Sequence, residues 1–478
     1  MLVLLSTLVI PLAGAGAMFA LPQRRLRFVV LIGCTLLHLL GCVRMWGQAQ
    51  EGSEALLLGV DPAGLLFLTV VSLLYCVVAI HLVQYTRRDR RGAPPVFLAC
   101  HLFSLAAQTL ACLATHWGLY WVAMETTTLA TAPLLFYHHG PRSLEATWKF
   151  LIIGSVGIAL ALLGTLFLGM AGSQLQGVDN PLLFGAMQEH GAQLLKPWLR
   201  MATVFLVVGY GTKMGLAPMH TWKPDAYGEA PPPVAALLAG GVTNCAFLGL
   251  LRVSQLADAA GDSAFVRSIL VALGLLSLAV SAACIVGQGN YRRLLAWSSV
   301  EHMGILALAV GSGATFGALL HALNNALNKG ILFLAAGNVL QATGRSEVQQ
   351  VTGLLRRLPL SGGFLLVGFL AATGFPPFGT FVSEFTILRG MIAQGSVLGA
   401  AALVLLLAVV FVGMANVVLG MVHGPAPAPV AGEEPTRDSL AGILPMAVLA
   451  LLALVLGLHI PAAVLDILEL AARGGGGR

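Results

Sequence analysis

Long apolar runs separated by short polar segments fill most of the chain. A helix that spans a lipid bilayer needs about 20 predominantly apolar residues. The longest polar connections are 172–198 and 423–439. The pattern therefore predicts an all-α polytopic membrane protein. It has fourteen predicted helices, with approximate bounds 1–21, 28–47, 56–85, 94–114, 118–138, 147–171, 199–221, 231–254, 264–287, 293–311, 315–342, 361–390, 397–422 and 440–470.

Two of the predicted spans are interrupted by turn-forming residues. Span seven contains Gly215–Pro218, and span twelve contains Gly374–Gly379, which includes Pro376 and Pro377. The two breaks are five spans apart, which predicts two five-helix repeats, and an odd number of helices inverts the second repeat. Paired broken helices are typical of translocation sites, although two unrelated proline kinks would leave the same pattern. The predicted organisation is three N-terminal helices, two inverted repeats and a C-terminal helix, with bounds 1–93, 94–255, 264–423 and 440–478.

Composition supports a membrane location. Of the 478 residues, 58% are hydrophobic and only 10% are charged, whereas a soluble domain carries about 25% charged residues. This excludes a soluble enzyme, a nucleic-acid-binding protein and a disordered scaffold. The seven cysteines lie in apolar runs and form no C-x-x-C pair, so the sequence predicts no metal site and no cofactor.

The basic residues predict the orientation. Loops after odd-numbered spans form one face, called side A, and loops after even-numbered spans form side B. Side A carries 16 Lys and Arg residues, including Lys223, and side B carries 8. Because cytoplasmic loops are enriched in Lys and Arg, side A is predicted to be cytoplasmic. Both termini would then lie on the outer side of a bacterial inner membrane.

Several ionisable residues lie within predicted spans or at their ends, where a charge costs about 2.5–3.5 kcal/mol at the bilayer centre. They are Glu125, Lys213, Glu301, His302, Lys329 and Glu384. Two of the five lysines are in this group, whereas the 21 arginines cluster in loops or at span ends. A buried lysine can release its proton and an arginine cannot. This choice of residue favours proton transfer.

Span eleven carries a polar stripe on one helix face. Its members are spaced i, i+3, i+4, i+7 and i+8, which aligns them on an otherwise apolar helix; they are His321, Asn324, Asn325, Asn328 and Lys329. Such a row can hold water and pass protons, or it can simply bind neighbouring helices by hydrogen bonds. The first break places His220 where a hydrated path could meet Lys213, although a lone histidine is often structural.

In combination these motifs resemble the antiporter-like membrane subunits shared by respiratory complex I, Mrp-type cation/proton antiporters and membrane-bound hydrogenases, and most of all the hydrogenase-4 component F type. The resemblance covers about residues 60–425 and rests on WVAMETTTLA, KMGLAPMHTWKPDAYGEAPPPVAALLAG, NYRRLLAWSSVEHMGI, LLHALNNALNKGILFLAAGN and TGFPPFGTFVSEF.

The resemblance implies a proton path along a central polar axis. Glu125 and Lys213 would form the first half-channel, Lys329 with His321 the connection, and Glu384 the terminal acid. The chain departs from many relatives at Asn244, where they carry a lysine, and at Asn325, where they often carry a histidine. An asparagine hydrogen-bonds but does not titrate, so the relay here would use water and His321.

The resulting hypothesis is a proton-translocating subunit driven by other membrane subunits and, through them, by a peripheral redox arm. A Glu125–Lys213 ion pair would close and open with the state of a neighbouring subunit, and its opening would release the Lys213 proton towards Lys329. Two alternatives stay open. One is a Na⁺/proton antiporter subunit, and the other is a membrane anchor that conducts nothing.

Overall fold

The protein is described by a computed structural model that covers residues 2–48, 54–55, 57–89, 92–175, 177–425 and 438–474. The described chain is almost entirely helical. A two-residue antiparallel ribbon, β1 (Glu54–Ala55) and β2 (Leu58–Gly59), lies in the connection after the second helix.

The α-helices are α1 (Leu2–Ala20), α2 (Arg24–Met45), α3 (Pro62–Arg88), α4 (Pro95–Leu113), α5 (Trp117–Leu135), α6 (Pro141–Ala171), α7 (Phe184–Glu189), α8 (Lys196–Met214), α9 (Trp222–Glu229), α10 (Pro232–Leu237), α11 (Thr243–Ala259), α12 (Ser263–Ile285), α13 (Tyr291–Gly311), α14 (Thr315–Thr343), α15 (Leu354–Arg357), α16 (Pro359–Ala372), α17 (Gly379–Ala393), α18 (Val397–His423), α19 (Leu440–Leu458) and α20 (Ala462–Ala472). A π-helical segment, Leu238–Val242, joins α10 to α11. Short 3-10 turns are Trp46–Gln48, Phe136–His138, Gly191–Gln193 and Val348–Gln350.

Within the described residues, ten helical segments are long and apolar enough to cross a membrane: α1 to α4, α6, α10 with α11, α12, α13, α18 and α19. Helices α5, α8 and α14 are also long enough, but their polar side chains lower their hydropathy. The structure therefore shows an all-helical membrane protein with about ten candidate spans, and the count of fourteen stays a prediction.

Both predicted breaks are present. Helix α8 ends at Met214 and α9 begins at Trp222, while α16 ends at Ala372 and α17 begins at Gly379. Gly215 has φ +82° and Gly374 has φ +67°, a left-handed backbone that glycine adopts without the steric cost of a Cβ. Each break thus divides one apolar segment into two helices whose ends meet inside the bundle.

The last predicted span differs from the structure. A single helix over 440–470 is wrong, because α19 ends at Leu458 and α20 begins at Ala462. Pro461 supplies no backbone N–H and disfavours helical backbone at Ile460, so the apolar run continues while the helix stops. Part of the predicted connection 423–439 lies outside the described residues, as do Arg90, Arg91, Arg437 and Arg478 of the charge count.

Burial separates the bundle interior from its outer helices. Helices α10, α11, α13 and α14 are enclosed along most of their length, and α11, α13 and α14 carry buried polar side chains that include Asn244, Glu301 and Lys329. Outer helices expose large apolar side chains, including Val29 on α2, Ile152 on α6 and Leu405 on α18. An apolar outer surface around a partly polar interior is the arrangement expected in lipid.

Candidate functional site

The first group of predicted residues lies where α5, α6 and α8 meet. Glu125 Oε1 accepts a hydrogen bond from Ser155 Oγ at 2.9 Å. Lys213 Nζ donates to Thr128 Oγ1 at 2.6 Å and lies 4.8 Å from the ring centroid of Phe150. The hypothesised Glu125–Lys213 ion pair is therefore not formed in this structure. Thr128 lies one helical turn beyond Glu125 on α5. Its hydroxyl accepts the hydrogen bond from Lys213 that the Glu125 carboxylate was expected to accept.

A second group joins α13 to α14. Lys329 Nζ donates to Ser298 Oγ at 2.7 Å, and Ser298 Oγ donates to Glu301 Oε2 at 3.2 Å. All three side chains are at most 2% exposed. One hydroxyl therefore connects a buried amine to a buried acid, which gives Lys329 a hydrogen-bonded route to Glu301.

Two histidines continue from this group towards the second break. His302 Nδ1 lies 2.9 Å from His321 Nε2, and His321 Nδ1 lies 3.0 Å from Ser383 Oγ. An imidazole can take a proton on one nitrogen and release it from the other. The adjacent acid, Glu384, folds back against the break, since a Cβ on Gly374 would come within 2.1 Å of Glu384 Oε2.

The asparagines around α14 are fully buried and only partly hydrogen-bonded within the protein. Asn328 Nδ2 donates to Thr380 Oγ1 at 2.7 Å, and Asn244 Nδ2 donates to an α14 carbonyl at 3.3 Å. Asn324 donates to the backbone of its own helix. Polar atoms left without a protein partner are Asn244 Oδ1, Asn324 Oδ1, Asn328 Oδ1 and both side-chain atoms of Asn325. Buried polar groups of this kind are ordinarily satisfied by ordered water.

His220 makes no hydrogen bond to Lys213, whose ammonium donates to Thr128. Its ring packs against Trp297, with ring centroids 5.3 Å apart. Its Nδ1 has no hydrogen-bond partner within the protein. The lysine closest to His220 in the sequence is Lys223 on α9, and its backbone N–H donates to the His220 carbonyl.

Lys223 is a buried residue that the sequence interpretation missed. It was counted among the side A loop charges, but it is 0% exposed and lies on α9. Its assignment to a loop was wrong because predicted span seven ended at 221, whereas the chain continues from there as the buried helix α9. Three of the five lysines are therefore buried: Lys213, Lys223 and Lys329.

A polar cavity of about 270 Å³ opens on side A above α9. Asp225 on its wall accepts from Lys149 Nζ at 2.8 Å and pairs with Arg293 Nη1 at 3.2 Å. Its other lining residues include Arg142, Glu145, Glu229 and Asn290. Among the described residues, no group of three or more His, Cys, Asp or Glu side chains is placed to hold a metal ion.

The fold and these buried groups define a polytopic helical membrane protein with ionisable side chains on and beside broken helices. The model of the transmembrane region of NADH:quinone oxidoreductases and Mrp antiporters matches residues 114–411. The hydrogenase-4 component F homolog of Methylacidiphilum infernorum (isolate V4) is 34% identical over 366 residues, which cover 76% of this chain and 75% of that protein. The chain therefore belongs to the NADH:quinone oxidoreductase/Mrp antiporter family, and the resemblance found in its motifs is confirmed.

Solved structures share the whole fold. A chain of the membrane-bound sulfane sulfur reductase, an archaeal respiratory membrane complex, superposes with a TM-score of 0.87 at 20% identity and covers 99% of this chain and 98% of its own. A chain of the Mrp complex from Dietzia sp. DQ12-45-1b gives a TM-score of 0.86 at 21% identity, with 99% and 97% covered. At these identities the likeness shows the fold alone.

Proposed function

We propose that the chain is a proton-translocating, antiporter-like subunit of a redox-driven membrane complex, of the group 4 membrane-bound hydrogenase, formate hydrogenlyase-like or complex I-related kind. The observation that carries the proposal is the buried hydrogen-bonded series Lys329–Ser298–Glu301 together with His302–His321–Ser383. Membership of the family and 34% identity to a hydrogenase-4 component F homolog support the choice of complex.

The proposed path begins at Glu125 and Lys213 and ends at Glu384. Lys329 passes a proton to Ser298 as that hydroxyl gives its own proton to Glu301, so each transfer breaks one bond to hydrogen and forms another. The histidine pair carries the proton towards Ser383 and Glu384. The unsatisfied asparagine atoms of α11 and α14 support water as the link between these groups,.

Energy for transport comes, in this proposal, from a change at the first group that a partner subunit imposes. Two unit charges 4 Å apart interact by about 4 kcal/mol at an effective dielectric constant near 20. Glu125 and Lys213 are held apart by separate hydroxyl partners here. A rotamer change that brought them into contact would hold the proton on Lys213, and the arrangement seen here would release it.

The membrane arrangement belongs to the same proposal. We propose fourteen spans in two inverted five-helix repeats, 94–255 and 264–423, in the inner membrane with both termini outside. The two breaks support the repeats, since each carries a left-handed glycine followed three residues later by a proline, at Pro218 and at Pro377.

The test replaces Lys213 and Lys329 in turn by alanine in the assembled complex. We expect each variant to lower redox-driven proton translocation about tenfold or more, because loss of a proton-transferring group typically costs at least that factor. Lys196→Ala, at the start of α8, is the matched control. Translocation is measured as acidification of membrane vesicles with a pH-sensitive dye, and assembly is checked by purification of the complex.

Wild-type translocation in both variants would refute the relay. A non-conducting membrane anchor predicts that Glu125→Gln and Glu384→Gln also leave translocation intact. Sodium-dependent turnover that is insensitive to protonophores would indicate that the transported ion is Na⁺ and not the proton.

A further inference from the structure

Lys223 lies between the two groups of the proposed path. Its Nζ donates to the carbonyl of Met214 at 2.8 Å and to the carbonyl of Ser299 at 3.3 Å. Met214 follows Lys213 at the end of α8, and Ser299 follows Ser298, which holds Lys329. One ammonium thus contacts the backbone beside Lys213 and the backbone beside Ser298, the hydrogen-bond partner of Lys329.

The first break is shaped around this side chain. A Cβ on Gly215 would lie 2.7 Å from Lys223 Cδ and 3.2 Å from Nζ. Gly215 also has φ +82°, so glycine satisfies both the left-handed backbone and the close approach of the lysine stem,. Because Gly215, directly after α8, has no side chain, it leaves the space through which the Lys223 side chain reaches the interior.

The surroundings of Lys223 offset its charge only in part. Among the described residues, no carboxylate lies within 4.0 Å of Nζ. The ammonium does lie at the C-terminal end of α8, where the helix dipole favours a positive charge. The cost of removing an ion from water exceeds this contribution, so the dipole does not balance the burial. A cap for two carbonyls requires a hydrogen-bond donor, and a neutral amide supplies one without the cost of a buried charge.

We propose that Lys223 is a proton carrier that joins the Lys213 group to the Lys329 group, an inference that rests on the proposed function. A proton leaves the Lys213 ammonium through water and forms an N–H bond on the neutral Lys223 amine. The Lys223 ammonium then releases a proton through water to the neutral Lys329 amine. Each transfer breaks one N–H bond and forms one, and the total charge is unchanged.

Electrostatics set the order of the transfers. Two like charges in a low-dielectric site repel, so a proton that arrives on Lys223 favours departure of a proton held by Lys329. The Lys329 amine is then neutral and accepts the proton from Lys223. The route from Lys329 through Ser298 to Glu301 is already hydrogen-bonded.

The test compares Lys223→Gln, Lys223→Met and Lys223→Arg in membrane vesicles of the host that makes the whole complex. Gln keeps N–H donors for the two carbonyls but does not titrate, and Arg keeps the charge but does not release its proton. We expect both to assemble and both to lower redox-driven vesicle acidification about tenfold. Met, which retains a stem of similar length, provides a second non-titrating variant. Lys196→Gln is the control.

Four outcomes are decisive. Wild-type acidification by Lys223→Gln would show that Lys223 serves only as a hydrogen-bonding helix cap. Wild-type acidification by Lys223→Arg would show that Lys223 serves only as a fixed positive charge. Either result overturns the inference. Loss of assembly with Gln and Met but not with Arg also overturns it, because a structural charge explains that result. If Lys213→Ala and Lys329→Ala lose translocation while Lys223→Gln does not, this inference fails and the proposed function stands.

Discussion

Gly374 holds the most restricted position in the second break. Its φ is +67°, and a Cβ would meet the carboxylate of Glu384. Gly344 has nearly the same backbone, φ +65°, with no atom within 4 Å of its Cβ position. An alanine at either position introduces backbone strain, which costs about 1–2 kcal/mol for an L-residue in this conformation. Only an alanine at Gly374 would also displace the Glu384 carboxylate, so comparing the two variants distinguishes the two effects.

We expect Gly344→Ala to lower thermal stability slightly and to leave proton translocation near wild type. Gly374→Ala should lower stability more, by about 1–3 kcal/mol beyond the control, and should also reduce translocation because Glu384 is displaced. Thermal denaturation and vesicle acidification of the two variants provide the comparison. Equal effects at both positions would show that the Glu384 carboxylate does not depend on the space at Gly374.

At this scale the sequence predicted the charged residues better than their partners. Lys213, Glu301 and Lys329 stand out because a charge in an apolar run is costly, but the serine or threonine that bonds each of them is common in membrane helices and carries no such signal. A local sign was nevertheless present, since Ser298 and Thr128 each lie one turn from an acid. Lys223 was missed because predicted span seven ended at 221, which assigned this lysine to the following loop.

Among the elements, α8 and α12 are joined at side B by one ion pair. Arg200 donates to Asp262 from Nε and Nη2, each at 2.7 Å. Asp262 precedes α12 and lies outside the helix. The hydrogen bonds from Arg200 lower the pKa of this carboxyl below its ordinary value of 3.8,.

A carboxyl whose pKa is lower in the folded protein stabilises the fold at pH values above its ordinary pKa, and loses that contribution as the pH falls through the folded value. Asp262→Asn should therefore lower the melting temperature slightly at pH 7, and the difference from wild type should shrink below about pH 4. Asp258→Asn, in the more exposed pair with Arg267, is the control with a smaller expected effect. A difference that grew on acidification would contradict the assignment.

The helices themselves were largely predictable because apolar runs are unambiguous, whereas the points where helices stop were not. Gly215–Pro218 and Gly374–Gly379 combine glycine with proline and were recognised as breaks. Pro461 stands alone in an apolar run and was passed over, although a proline removes one backbone donor wherever it stands. Run length alone therefore overestimates the continuity of a helix.

For the whole molecule, charged residues that were predicted to lie on the same side of the membrane lie close together in the structure. The side A residues Arg142, Lys149 and Arg293 line one cavity. The side B residues Arg200 and Arg252 pair with Asp262 and Asp61, which precede helices on that same predicted side. This agreement supports the division of the charged residues between two faces.

Single cysteines in the full-length chain distinguish the two faces. Glu145 on side A is exposed, with 65% of its side chain accessible, and Arg473 on predicted side B is 73% accessible. The native cysteines are buried or half-buried. In intact cells a membrane-impermeant maleimide should label Arg473→Cys, and it should label Glu145→Cys only after permeabilisation, because the positive-inside bias places side A in the cytoplasm.

Each departure from that result identifies a different error. Labelling of Glu145→Cys alone in intact cells would reverse the orientation and leave the odd number of spans between the two residues intact. Labelling of both variants, or of neither, would place the two residues on one face, and the fourteen-span arrangement would be wrong in its C-terminal half.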